Sequence, residues 1–282
     1  MKITPIASES LGVRSMATYI ETNDCNILID PSAALGTKRY GLVPTPQEHK
    51  ALKETKKTIA KYAQKTDIFT ISHYHFDHYD LHAEFYKSKK VFAKDINKNI
   101  NKSQQQRGKE FKKTIEKTCD LIFCDTTQHQ FGDTKLEFSP PFYHGPENIK
   151  LGFVLMTLVD DKEKKVLHAS DVQGPITQQA KNYILKQKPD LLIMDGPPTH
   201  MLGFRFSKKN LELASANLVE IITKLDCEIL LDHHLLRDLK YQEHFKKPYE
   251  VGKKRVKTFA EYLGKKNNTL EANRKKLWKG EM

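Results

Sequence analysis

Ser72-His73-Tyr74-His75-Phe76-Asp77-His78-Tyr79-Asp80 places three histidines and an acid within six residues, directly after the apolar run Ile68-Phe69-Thr70-Ile71. Histidine nitrogens and carboxylate oxygens are the usual ligands of a catalytic zinc or similar ion. In an extended chain His73, His75 and Asp77 would share one direction and His78 would point elsewhere. A tight turn after the strand could then divide the ligands between two ions. The plainer alternative is a polar loop after a buried strand, and four ligand-type side chains at this density weigh against it.

Further candidates follow along the chain, each at the end of a strand-like run. They are Asp30 in Ile27-Leu28-Ile29-Asp30-Pro31, His144 in Phe142-Tyr143-His144-Gly145-Pro146, Asp171 in Leu167-His168-Ala169-Ser170-Asp171, and Asp232-His233-His234 after Glu228-Ile229-Leu230-Leu231. In this order, and with the opening stretch as His-x-His-x-Asp-His, the chain resembles the metallo-β-lactamase superfamily from Asp30 to His234. The block from Ala7-Ser8-Glu9-Ser10-Leu11-Gly12-Val13-Arg14 to Lys38-Arg39-Tyr40-Gly41 is similar to an uncharacterised archaeal subgroup of metallohydrolases. The resemblance implies an α+β fold, a four-layer αββα sandwich of two mixed β-sheets flanked by helices. It also implies that His73, His75 and His144 hold one metal, that Asp77, His78 and the last histidine hold another, and that Asp171 bridges them. His233 is preferred as that last histidine. It follows Asp232, where the family usually has Thr, and this departure leaves His234 open.

The rest of the chain agrees with such a sandwich. At 282 residues it can bury a sizeable core. Strand-like runs precede helical ones in both halves, which suits two sheets packed face to face with helices outside. Gln47 to Gln64 carries a helical stripe of Leu52, Thr55, Ile59 and Tyr62, and Ser207 caps a helix over 208–224. Residues 79–86 read as a short helix, and 96–117 as a helix or an irregular excursion. Because ligands come from both halves, residues 1–282 read as one domain. Val256, Phe259, Tyr262 and Leu263 have helical spacing, so 253–282 reads as a basic helical C-terminal extension packed on that domain.

Hydrophobic residues make up 38% of the chain and no run approaches the length of a membrane span. The N-terminus lacks a secretory apolar region. Cys25, Cys119, Cys124 and Cys227 have neither zinc-ribbon spacing nor the density of a disulfide framework. Free thiols in a reducing cytoplasm are the expectation. The net charge of +12 is uneven: residues 84–118 carry eleven Lys/Arg against four acids, and residues 253–282 carry ten against three. Such surfaces attract anionic small molecules or nucleic acid, although lysine-rich helices are often only solvated faces.

The expected activity is a dinuclear metal-dependent hydrolase using a metal-bridging hydroxide, with zinc, manganese or iron as the divalent ions and a phosphodiester, nucleotide or nucleic acid as substrate. No Gly-x-Ser-x-Gly elbow is present, consistent with a hydroxide nucleophile. Asp77 and Asp171 are the expected catalytic carboxylates. His200, in the turn Gly196-Pro197-Pro198-Thr199-His200, is either a general acid or substrate contact or an ordinary loop histidine. Asp30 either orients a ligand histidine or forms a turn before Pro31. Arg14 reads as a surface ion pair more than an anion contact, and His168 as packed or hydrogen-bonded rather than a ligand. A thioester or lactone hydrolase would use the same centre. An iron-dependent oxidoreductase is disfavoured because His75 stands where the diiron reductases have Glu. A non-catalytic binding module is disfavoured by the full ligand set.

Overall fold

The computed structural model describes residues 1–281; Met282, the end of the expected C-terminal extension, lies outside the described residues. The first sheet comprises β1 (Lys2–Pro5), β2 (Thr18–Glu21), β3 (Asn26–Ile29), β4 (Ile68–Ile71), β5 (Lys90–Ala93) and β6 (Asp120–Phe123), in that spatial order. β1 to β3 form an antiparallel meander, and β3 to β6 are parallel. Parallel neighbours need crossovers. Helix α1 (Pro46–Ala63) lies between β3 and β4, and α2 (Lys102–Ile115) between β5 and β6.

The second half begins with β7 (Gln128–Phe131) and β8 (Thr134–Phe138), then a small separate pair, β9 (Phe142–Tyr143) with β10 (Phe153–Val154). It continues with β11 (Thr157–Asp160), β12 (Lys165–His168), β13 (Leu191–Asp195), β14 (Glu228–Asp232) and β15 (Val256–Lys257). The larger sheet has the order β15-β14-β13-β12-β11-β8-β7. Its β12 to β15 are parallel and the remainder antiparallel. Helices α3 (Gln178–Gln187) and α4 (Lys208–Lys224) make the crossovers from β12 to β13 and from β13 to β14.

Strand periodicity divides the apolar side chains among three cores. Ile27 and Ile29 of β3, Ile193 of β13 and Leu230 of β14 meet between the sheets. Leu28 and Phe69 point the other way, onto Ile59 of α1 and Phe111 of α2. Leu192, Ile229 and Leu231 pack against Ile184 of α3 and Leu218 of α4. Adjacent residues of one strand thus serve different cores, and the result is the four-layer αββα sandwich.

Local chemistry sets the helix starts. Thr45 accepts the Glu48 N–H, Glu48 accepts the Thr45 N–H, and Pro46 opens α1. Ser207 caps α4 by accepting the Asn210 N–H. Residues 79–86, read as a short helix, instead form turns that end in a single 3-10 turn at Glu84–Tyr86. Tyr79 and Tyr86 are buried against Phe111, so tertiary packing rather than helical hydrogen bonding fixes this stretch.

The C-terminal stretch differs from one basic helix. After the short helices α5 (Tyr241–His244) and α6 (Lys246–Gly252), Val256–Lys257 add β15 to the edge of β14, where unpaired backbone groups await a partner. Only α7 (Phe259–Tyr262) and α8 (Arg274–Trp278) are helical beyond it. Phe259, Leu270, Ala272 and Leu277 are buried, so the stretch does pack on the sandwich. The four cysteines are free, and no helix among the described residues is long and apolar enough to cross a membrane.

β3, β4, β12, β13 and β14 all end at one rim, and their C-terminal ends carry Asp30, the histidine stretch, Asp171, Asp195 and Asp232-His233-His234. In open α/β sheets that is the edge where ligands bind.

Candidate metal centre

Asp171 is the hub. Its Oδ2 lies 3.0 Å from His144 Nε2, 3.3 Å from His78 Nε2, 3.5 Å from His233 Nε2 and 3.7 Å from His73 Nε2. The His73 Nε2 and His75 Nδ1 atoms are 2.9 Å apart, and His233 Nε2 is 3.7 Å from Asp77 Oδ2. Two groups result, His73/His75/His144/Asp171 and Asp77/His78/His233, each with its ligand atoms within 4.8 Å of one another. A third, overlapping group of Asp171, His233 and His234 keeps His234 close by. The seven residues expected to hold metal are therefore brought together, with His233 next to Asp77 and His78.

The donors fit an ion. His78 Nε2, both nitrogens of His144 and Asp171 Oδ1 are buried without a hydrogen-bond partner. Orphaned buried polar atoms are costly, and bound cations would satisfy His78 Nε2, one nitrogen of His144 and Asp171 Oδ1.

Carboxylates behind the rings fix their orientation. Asp30 accepts the Ser72 N–H at 2.8 Å and the Ser72 hydroxyl at 2.7 Å, and its Oδ2 is 2.8 Å from His78 Nδ1. Glu9 Oε2 is 2.7 Å from His233 Nδ1, while its Oε1 accepts from Arg237 Nε at 2.6 Å. Asp195 Oδ2 is 2.8 Å from His234 Nδ1. Each partner occupies Nδ1 and leaves Nε2 facing the centre. Backbone geometry serves the same end: Asp30, Ser170 and His233 adopt left-handed φ of 49°, 53° and 56° at the ends of β3, β12 and β14. Asp232 explains the departure from Thr, since it accepts the backbone N–H groups of His233, Ser10 and Phe259 and so ties β14 to both ends of the chain.

The two groups differ electrostatically. Burial, then the neighbouring His78 and His75, holds the pKa of His73 well below its usual value; burial and His144 bring His75 to about 3. Both rings are neutral and ready to coordinate. At His78 burial opposes protonation, but Asp171 and Asp30 outweigh it and push the pKa well above the usual range. At His233 burial is likewise outweighed, by Glu9 and Asp171, and the pKa rises to about 10. In the metal-free protein these two protonated rings balance Asp171 and Asp77. The stability from the raised His233 pKa is fully present below its ordinary 6.5 and is lost as pH rises through about 10. Metal binding to this group must expel the protons. Filling it at pH 7 is expected to release about two protons, one each from His78 and His233. Calorimetric titration in buffers of different ionisation enthalpy would read that number, and release of none would refute the charge assignment.

Glu9 lies 224 residues from His233 in sequence, and although it falls in the opening block that resembles the archaeal subgroup, nothing there gave it a role. Asp195 was legible in principle, because it ends an apolar run as Asp232 does. Replacing Glu9 by Gln is expected to weaken metal binding at the Asp77/His78/His233 group by about 10–100-fold and to spare the His73/His75/His144 group. Competition against a chromogenic chelator measures both, and equal affinities would remove Glu9 from this role.

A cavity of about 360 Å³ opens onto His75, Asp77, His144, Asp171 and His234. Its walls also carry Arg14, Arg107 and Arg237. His200 does not line it, although the neighbouring Pro198 and Met201 do. Burial, then Arg237 and Arg39, lowers the His200 pKa to about 3, so its ring is neutral. His168 is buried with Nε2 3.1 Å from the Met16 carbonyl, a structural position.

Relatives place this geometry in a family. No protein-family model matches the chain. A UPF0282 protein of Methanocaldococcus jannaschii is 44% identical over 293 residues, covering 99% of this chain and 97% of its own. One from Methanopyrus kandleri is 42% identical over 291 residues, covering 98% and 99%. The chain belongs to the UPF0282 family. This is the archaeal subgroup that the opening block resembles. Among solved structures, the metallo-β-lactamase fold protein YhfI from Bacillus subtilis aligns over 94% of this chain and 96% of its own, with a TM-score of 0.60 and 15% identity. An isothiocyanate hydrolase from Delia radicum gut bacteria aligns over 99% and 93%, with a TM-score of 0.51 and 12% identity. The UPF0282 chain therefore has the metallo-β-lactamase fold.

Proposed function

We propose that the protein is a metal-dependent hydrolase that uses two divalent ions, zinc first among them, on a phosphodiester. The observation that carries this reading is Asp171 Oδ2 at 3.0–3.7 Å from four histidine nitrogens, with ligand-type side chains on either side. His73, His75 and His144 would hold one ion, Asp77, His78 and His233 the other, and Asp171 would reach both. A bound pair of this kind supplies an activated water and positive charge against a developing oxyanion. Imidazole-rich sites with few carboxylates suit zinc.

The chain's own groups do the rest. Asp30, Glu9 and Asp195 hold the rings in place. Three arginines, Arg14, Arg107 and Arg237, reach the cavity wall. Although Arg14 and Arg237 are paired with Glu271 and Glu9, Arg107 leaves uncompensated positive charge there, which favours an anionic substrate over a neutral ester. The cavity's size suits a small phosphodiester or a nucleotide. Part of the basic charge is spent internally: Lys94 is buried with its Nζ 2.6 Å from Asp125, and Arg274 is buried against Glu48. That favours a small anion over a long nucleic acid.

The test begins with metal content per chain, measured on protein purified without chelators or a histidine tag. A generic phosphodiester, a thioester and a lactone are then assayed with Zn²⁺ or Mn²⁺. About two ions and phosphodiester turnover are expected. Turnover of the thioester or lactone alone would remove the phosphodiester reading. Iron with oxygen uptake would replace it with an oxidoreductase, and no metal after reconstitution would leave a binding module.

A further inference from the structure

The three arginines on the cavity wall are not equivalent. Arg14 is committed to Glu271 through two hydrogen bonds of 2.7 and 2.6 Å. Arg237 is committed to Glu9 at 2.6 Å. Arg107 has no carboxylate within 4.0 Å among the described residues, and its buried Nε has no hydrogen-bond partner. Burial pulls its pKa down and outweighs the opposing influence of Tyr79 and Asp77.

Its position is nevertheless fixed. Arg107 lies on α2, which is clamped to the histidine stretch. Gln104 accepts the Tyr74 N–H at 3.3 Å, and Phe111 packs on Tyr79 with ring centroids 5.2 Å apart. Gly108 lets the helix approach closely, since a Cβ there would lie 2.6 Å from Ile96 and 2.8 Å from the Tyr74 ring. The Arg107 guanidinium sits 5.4 Å from the centroid of Phe76, the residue between His75 and Asp77. Stacking on an aromatic face holds a guanidinium while leaving its in-plane N–H donors free for a planar or tetrahedral anion.

We propose that Arg107, seated on Phe76, is the specificity-determining residue of this cavity and binds a phosphoryl oxygen of the substrate. The proposal rests on the phosphodiester reading and supplies its recognition element. The missing counter-charge of Arg107 is the substrate's own. A neutral thioester or lactone would leave that cation half-buried and unpaired, so the same cavity discriminates against neutral esters.

Phenylphosphonate and neutral benzamide serve as probes, titrated calorimetrically into the full-length protein after its metal content has been measured and matched between variants. Arg107→Met is expected to weaken phenylphosphonate binding by at least about 10-fold and to leave benzamide binding unchanged, with Arg107→Lys in between. Equal phenylphosphonate affinity in wild type and Arg107→Met would overturn the proposal, as would absence of phenylphosphonate binding to the wild type. An equal loss for both probes would also overturn it, because the residue would then only hold the cavity open. Binding is read apart from turnover. A failed phosphodiester assay with the expected binding would sink the reaction assignment and keep the anion site, and the reverse pattern would do the opposite.

Discussion

Asp171→Ala is expected to abolish hydrolysis and to reduce the metal content from about two ions to one or none per chain. Among the described residues, Asp171 alone stands within 3.7 Å of four histidine ring nitrogens through one oxygen. Burial opposes the Asp171 charge, but His78 and His233 hold its carboxyl well below the usual range, so it is an anion at any working pH. Removing it takes away the one carboxylate that lies within 3.7 Å of histidine nitrogens from both groups, and with it the charge that compensates two buried cations. The loss of activity should exceed the ~10–100-fold seen when only an outer partner of a ligand is removed. Mass spectrometry of the metal and a rate on whichever ester the wild type cleaves check this. A variant with both ions and an unchanged rate would refute the assignment of Asp171 as the shared ligand.

Arg274→Met is expected to destabilise the fold by about 3–5 kcal/mol, the largest stability effect of any single substitution considered. Arg274 and Glu48 are both fully buried, with contacts of 2.7–3.0 Å, and Arg274 also donates to the Leu42 carbonyl. The substitution would strand the Glu48 carboxylate, which at the same time caps α1. Adding Glu48→Gln should recover part of the loss, because a neutral amide keeps a hydrogen-bonding group without a buried charge. Equilibrium denaturation of the two variants decides it; a cost below about 1 kcal/mol for Arg274→Met would mean that water reaches the pair. The same strap extends from Tyr40, whose hydroxyl donates to the Ala272 carbonyl, to Trp278, which donates to the Val43 carbonyl. Its loosening would free Glu271 and with it the pairing of Arg14 at the cavity.

The sandwich was legible where continuous apolar runs end in Asp or His, because burial on both faces leaves little choice of residue within a strand and the chemistry is confined to its exit. α1 was legible through the stripe of Leu52, Thr55, Ile59 and Tyr62, and α4 through the Ser207 cap, both of which are local signals. Residues 79–86 were not, since Tyr79 and Tyr86 are held by Phe111 from a distant helix. Val256 was not, since its helical spacing with Phe259 and Tyr262 is equally served by an edge strand followed by a turn.

By itself the sequence determined the fold class and marked the histidines and aspartates that the fold gathers at one rim, because strand ends deliver such side chains in a fixed order. Only the tertiary structure decided which carboxylate stands behind each ring: Glu9 behind His233, Asp195 behind His234 and Asp30 behind His78. It also decided that, among the described residues, Arg107 alone of the three cavity arginines has no carboxylate partner. Those pairings join residues far apart in the chain, and their energy depends on burial and distance, which arise only when the two sheets close on each other.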